Sequence, residues 1–223
     1  MSNTPITNQG PTVGFNVIFL ENDGKELAKL IPDLVTHQNK IQQLQPQCYE
    51  TDKELFKIYN TSLIEAMKIS NAVKEKIVDY HYKLGMADKY KIVVSYDSKN
   101  KLPQAIGILV LDRKNINEKY AKSIEIYALI TAFKNLKYSQ NAANTNRLPG
   151  AGSSLIKFFK EIGKENKVDC LYVEVPTCAI EFYKKHDFKP LYPQETTDSR
   201  WGEDPFGLAR IPMIFDLTEK AAI

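Results

Sequence analysis

The sequence predicts one α/β domain, an α+β arrangement on a mixed sheet that is mostly antiparallel with a central parallel pair and flanking helices. Three observations predict it. Two long helical patterns precede a run of three β-rich segments on short connections, "KYKIVVSYD" (89–97), "QAIGILVLD" (104–112) and "KSIEIYALITAF" (122–133), which implies an antiparallel meander. After these comes "NRLPGAGSSL" (146–155), a glycine turn leading into an amphipathic helix and then the apolar run "VDCLYVEV" (168–175). Strands on either side of such a helix lie parallel, joined by a right-handed crossover.

Taken in order, residues 1–12 read as a flexible N-terminal arm and "GFNVIFLEN" (14–22) as a strand ended by the turn residues "NDG". From Lys25 to about Leu44, residues Leu27, Leu30, Ile31, Leu34, Val35, Ile41 and Leu44 keep helical spacing. Pro32 is expected to kink or split that helix, because it lacks the amide the ladder needs. "QPQCYETD" reads as a linker, with Thr51 or Asp52 capping a second helix marked by Leu55, Phe56, Ile58, Tyr59, Leu63, Met67, Ala72, Val73, Ile77 and Tyr80, which Gly85 would end. Beyond the glycine turn, Leu155, Ile156, Phe158, Phe159 and Ile162 share one side of a helix. "TCAIEFYKKH" reads as a short helix, "FKPLYP" as a strand, "QETTDSRWGEDPFG" (194–207) as a polar loop and "ARIPMIFDL" as the last strand. Pro212 counts against that last assignment, since proline donates nothing to a ladder. The domain is expected over 13–219, with 24–86 its helical region and 220–223 a tail.

A chain of 223 residues, 43% hydrophobic and 26% charged, can bury a core without staples. Its three cysteines, Cys48, Cys170 and Cys178, have no metal-ligand spacing and fit a reducing compartment. The N-terminus has no apolar signal core, and no apolar run reaches the about 20 residues of a membrane helix. A net charge of +3 on scattered basic residues does not argue for nucleic acid. His37, His81 and His186 lie far apart, so no metal is expected. The expectation is a soluble, cytoplasmic protein with no membrane or nucleic-acid partner.

The glycine turn carries the chemistry. Gly150 and Gly152 permit positive φ and close backbone approach, and the amides that follow open a helix, where orphan donors and the dipole favour an anion. Arg147 adds a charge suited to phosphate. The spacing is wrong for a mononucleotide P-loop, which needs four residues between its glycines. A dinucleotide fingerprint would need a third glycine at Leu155 and a strand running into the turn, where "SQNAANTNRLP" is polar. The residues alone leave two readings open, a pyrophosphate cradle and an ordinary helix cap.

"RLPGAG" (147–152) matches the Arg/Gln-x-x-Gly-x-Gly/Ala signature of the GNAT superfamily of N-acetyltransferases. Downstream, "AIEFYKKHDF" (179–188) resembles that family's Ala-x-x-x-Tyr-x-Lys-x-Gly-Phe stretch, and upstream "IEIYALIT" (124–131) resembles the strand before the signature. The likeness covers 104–192 well and, in element order, most of 14–217. It implies a GNAT-like acyl-CoA N-acyltransferase fold, with acetyl-CoA as co-substrate bound over 104–192. In that reading the backbone of Leu129, Ile130 and Thr131 lies along the pantetheine arm. Arg147 and the turn residues Leu148, Gly150, Ala151, Gly152, Ser153 and Ser154 hold the pyrophosphate.

The resemblance further implies Tyr183 as the acid that protonates the departing thiolate and Glu125 as the base for an amine whose free pKa is about 10.4. The acceptor, a small molecule or a protein amine, would meet 24–86 and 194–207, where Trp201 and Asp198 suit a cation. Three departures stand out. Asp187 replaces the family's glycine, Pro176 falls where an asparagine often contacts the cofactor, and 132–146 is longer than the usual connection. Two other classes remain: a noncatalytic acyl-CoA-binding or regulatory protein, and a nucleotide-dependent oxidoreductase, which the polar lead-in disfavours.

Overall fold

In the computed structural model, the residues described are 15–20, 24–82, 90–99, 101–132, 135, 149–192, 204, 206 and 208–218. The elements are β1 (Phe15–Leu20), α1 (Gly24–Tyr49), α2 (Lys53–Tyr82), β2 (Tyr90–Asp97), β3 (Pro103–Asn117), β4 (Tyr120–Thr131), α3 (Ala151–Glu165), β5 (Cys170–Pro176), a 3₁₀ turn (Thr177–Ala179), α4 (Ile180–Lys184), β6 (Lys189–Pro190) and β7 (Arg210–Asp216). The strands form one sheet in the order β1-β2-β3-β4-β5-β7-β6. Every neighbouring pair is antiparallel except β4–β5, which is parallel. This is the mostly antiparallel sheet with a central parallel pair that the sequence implies.

The sheet is covered on both faces, and strand alternation divides its side chains between two cores. Val93, Leu109, Ile124 and Ile126 pack with Leu155, Ile156, Phe158, Phe159 and Ile162 of α3. Ile92, Val94, Ile106 and Ile108 pack on the other face with Leu27, Leu30 and Leu34 of α1 and Ala66, Ile69 and Val73 of α2. Burying each large apolar side chain contributes about 2 kcal/mol. On β1, Phe19 meets Phe158 edge-on at 5.2 Å.

Several expectations change. α1 runs unbroken through Pro32 and Pro46 to Tyr49, so "QPQCYETD" is mostly helix. Each proline removes one hydrogen bond, while the stripe Leu27, Leu30, Leu34, His37, Ile41 and Cys48 is buried along the whole helix and holds it in place. Asp52, not Thr51, caps α2: its Oδ1 accepts the Leu55 amide at 2.9 Å. Met67 is 51% exposed and the buried α2 stripe runs through Tyr59, Ala66, Ile69 and Val73. Strands β3 and β4 continue toward a tight turn, where Asn117 Oδ1 accepts the amides of Lys119 and Tyr120 at 3.0 and 3.1 Å. β6 has only two residues. Pro212 does sit inside β7, opposite Glu174, and its carbonyl still accepts the Leu191 amide at 2.9 Å. Gly85 lies outside the described residues.

Candidate functional site

The site begins with a fault in β4. Ile108 pairs with Ala128 but Leu109 pairs with Ile126, so Tyr127 is an extra residue, a β-bulge. Its effect shows in the packing: Ile124 and Ile126 face α3, whereas Ala128 and Ile130 face α1 and α2. The parallel ladder with β5 covers Ser123↔Cys170 to Ile126↔Val173 and ends at the bulge. Beyond it Leu129, Ile130 and Thr131 continue to pair with Gly107, Ile106 and Ala105 of β3. β4 thus stops pairing with β5 over its last five residues, and such a parting of two strands of one sheet is the kind of crevice at which α/β proteins bind ligands.

The start of α3 stands at the mouth of this crevice. Gly150 is its N-cap with φ of 97°, a left-handed conformation that favours glycine. Gly152 is buried, and a β-carbon there would lie 3.3 Å from both Thr131 Cγ2 of β4 and the Phe182 ring of α4. The two glycines therefore serve different ends. Gly150 makes the turn, and Gly152 lets the helix end seat against β4 and α4. First-turn amides of an α-helix have no intrahelical acceptor and present partial positive charge. Ser154 is turned inward, with its hydroxyl bonded to Ser95 Oγ at 2.8 Å and Ala151 O at 2.6 Å and its amide to Gly150 O at 2.9 Å. Both its donors are engaged within the protein. Ser153 Oγ lies 2.9 Å from His186 Nε2. Burial, then Lys160, lowers the His186 pKa. Arg147 and Leu148 lie outside the described residues.

Tyr183 of α4 is 6% exposed, edge-on to Phe182 at 5.2 Å and to Phe188 at 5.4 Å. Burial, followed by the nearby Glu65 carboxylate, holds its phenol well above the usual tyrosine range, so the side chain is neutral at neutral pH. Asp187, which follows α4, takes φ of 62°, so an aspartate fills the left-handed turn expected of glycine. Glu125 is half-buried on β4, opposite Val110 of β3 and Tyr172 of β5. Trp201 and Asp198 lie outside the described residues.

Glu65 is the residue sequence reading missed. It is 8% exposed, 3.0 Å from Lys68 Nζ and 3.7 Å from the Arg210 guanidinium at the start of β7. In sequence, helix α2 reads as a Lys/Glu-rich solvated face over a core stripe that omits position 65, yet this position falls on the 3–4 spacing of buried Ser62, Ile69 and Ala72. Nearby, the Cys178 thiol donates to Thr61 Oγ1 at 3.5 Å. On α1, His37 is buried and 2.9 Å from Ser62 Oγ, and burial, then Lys40, lowers its pKa to about 4. Among the described residues no group of three or more His, Cys, Asp or Glu could hold a metal ion, and no helix is long and apolar enough to cross a membrane.

No family model matches the chain, and no curated protein matches it. Among solved structures it is similar to an acetyltransferase from Streptococcus agalactiae, at 16% identity and a TM-score of 0.45 over 92% of this chain and 99% of that one. It is similar also to a candidate acetyltransferase of the GNAT family from Desulfovibrio desulfuricans, at 13% identity and a TM-score of 0.45 over 91% of this chain and 97% of that one. A third is nourseothricin acetyltransferase, at 15% identity and a TM-score of 0.37 over 58% of this chain and 66% of that one.

Proposed function

We propose that the chain is a GNAT-type N-acetyltransferase that moves acetyl directly from acetyl-CoA to an amine. The observation that carries this reading is the left-handed Gly150 turn at the head of α3, set against Thr131 where β4 has parted from β5. The first-turn amides, with Ser153 beside them, supply donors for a pyrophosphate. The backbone of β4 from Leu129 to Thr131 runs down the crevice from that mouth and offers a ladder edge to an amide-rich arm. Arg147 and Leu148 complete the signature in sequence.

In the reaction the amine nitrogen forms a bond to the acetyl carbonyl carbon and the carbon–sulfur bond breaks. The amine proton passes to Glu125, directly or through water. Tyr183, kept protonated by burial, gives its proton to the thiolate. The same burial disfavours the tyrosinate left behind.

A second reading is favoured by one observation, the depth of Tyr183 in the core. A noncatalytic acyl-CoA binder would keep the crevice and use this ring for packing alone. One experiment separates the two: calorimetric titration with acetyl-CoA, followed by thiol release with and without an amine library. Binding with amine-dependent release supports transfer. Binding without release supports the second reading, and no binding removes both.

A further inference from the structure

We infer that the acceptor of the proposed transfer is a small aliphatic diamine, doubly cationic, and that it binds in the cavity between α2 and the sheet. This rests on the acetyl-transfer reading for its chemistry and on the cavity itself for its specificity. The cavity has a volume of about 340 Å³, at the lower end of small-molecule sites of about 300–1,000 Å³. Its floor is Tyr90 and Tyr127, with ring centroids 5.7 Å apart. Ile64 and Met67 give it aliphatic walls, and Lys68 and Glu75 give it charge.

Its position ties it to the crevice. Tyr127 is the bulge residue at which β4 leaves β5. Tyr90 pairs with Val110, which pairs with Glu125, so Glu125 lies in one cross-strand row with the floor of the cavity. Residues opposite one another share a face of the sheet. An amine held over Tyr127 is therefore on the same face of the sheet as the carboxylate assigned to take its proton.

The chemistry of the walls selects the occupant. The face of Tyr127 already takes a cation, because Lys68 Nζ sits 5.3 Å from its ring centroid. That ammonium is paired with Glu65 at 3.0 Å. Burial raises the Tyr127 pKa, and Tyr90, Glu125, Glu65 and Glu75 raise it further; of these, Tyr90 and Glu75 line the cavity itself. Aromatic faces and carboxylates favour ammonium groups, and the aliphatic walls suit the methylenes between them. With Lys68 already paired to Glu65, an acceptor with a carboxylate beside its amine would meet like charge at Glu75.

The test is calorimetric titration of 1,4-diaminobutane and of 4-aminobutanoate into the whole protein, alone and with CoA present. The diamine is expected to bind about tenfold more tightly than the amino acid. Glu75→Gln and Tyr90→Leu are each expected to weaken the diamine about fivefold, with Tyr90→Phe near wild type and acetyl-CoA affinity unchanged in all three. Absence of diamine binding under both conditions, equal binding of the two probes, or indifference to both variants overturns the assignment. So does displacement of the diamine by a lysine peptide of lower concentration. Failure of the transfer reading has a different signature, acetyl-CoA that does not bind or yields no thiol while the diamine still binds.

Discussion

The two ends of the β4–β5 pair are built from the same strands and have opposite characters. At the N-terminal end the strands are laced together. Asp169 accepts the Lys122 amide at 2.9 Å on its carboxylate, returns its own amide to Lys122 O at 2.9 Å, and accepts Leu217 N on its carbonyl at 2.8 Å. Beside it, Asp216 accepts from Lys119 Nζ and Tyr120 OH, both at 2.7 Å, and from the Thr218 amide and hydroxyl at 2.8 and 2.6 Å. At the C-terminal end the ladder stops after Ile126↔Val173, and a glycine turn takes the place of side-chain clamps. The difference separates an end held by side-chain clamps from an end where ligand binding is proposed. Variants at one end should leave the other's readout alone.

The largest expected effect is at the open end. In the double variant Gly150→Asp, Gly152→Asp, the first side chain meets φ of 97° and the second meets Phe182 and Thr131 at 3.3 Å. Both add negative charge where an anion is proposed to bind. Acetyl-CoA affinity should fall by about a thousandfold, near 4 kcal/mol, as read by calorimetry. Retained binding in a folded double variant would break the assignment of the cradle.

Next comes acid. His37 lines a cavity beside Gln104, Ile130 and Ala132 at the open end, and its folded pKa of about 4 is depressed from 6.5. Between those values the unfolded chain binds the proton more readily, so stability is full above pH 6.5 and declines as pH falls toward 4. The gap corresponds to about 3 kcal/mol. At the closed end, burial works to raise the Asp216 pKa, but its donors outweigh that and hold it well below the usual carboxylate range. That carboxylate stays ionised through the whole window. Hydrogen exchange at pH 7 and pH 5 should therefore show α1 and α2 loosening before β7, and His37→Gln should flatten the dependence. Simultaneous loosening of both ends would erase the contrast.

Tyr183→Phe sharpens the same comparison within the open end. The ring and its contacts with Phe182 and Phe188 remain, so acetyl-CoA affinity and melting temperature should hold while the transfer rate falls about a hundredfold. An unchanged rate of amine-dependent thiol release would assign the tyrosine to packing.

The sequence conveys these two ends unequally, for a physical reason. Helical period, alternation and the glycine signature are local, so the elements, the mixed sheet and the Gly150 turn are legible. The closed end is held by pairs such as Tyr120–Asp216 and Lys122–Asp169, distant in sequence and ordinary in type, and nothing local marks them. The bulge at Tyr127 is likewise silent, because "IEIYALIT" alternates no differently on either side of it. Glu65 was hidden by its neighbours: a lysine three residues on makes it look like a surface pair. Pro32 does not split α1, because the buried stripe that holds the helix spans its whole length.

The smallest effect belongs to the closed end and completes the test. Asp216→Asn keeps the shape of the side chain but removes the charge that collects four donors from Lys119, Tyr120 and Thr218. Hydrogen bonds to charged groups are worth about 2 kcal/mol each when buried, but the Lys119 side chain is 57% exposed, so its ion pair adds little. Asparagine also retains an acceptor for one or two of the remaining donors. A net loss of about 2 kcal/mol in denaturant unfolding is expected, with no change in acetyl-CoA affinity. If that substitution, at the end of β7 beside the start of β4, also weakened the ligand, the two ends would be coupled through the strand, and the bulge at Tyr127 would have to transmit strain rather than isolate it.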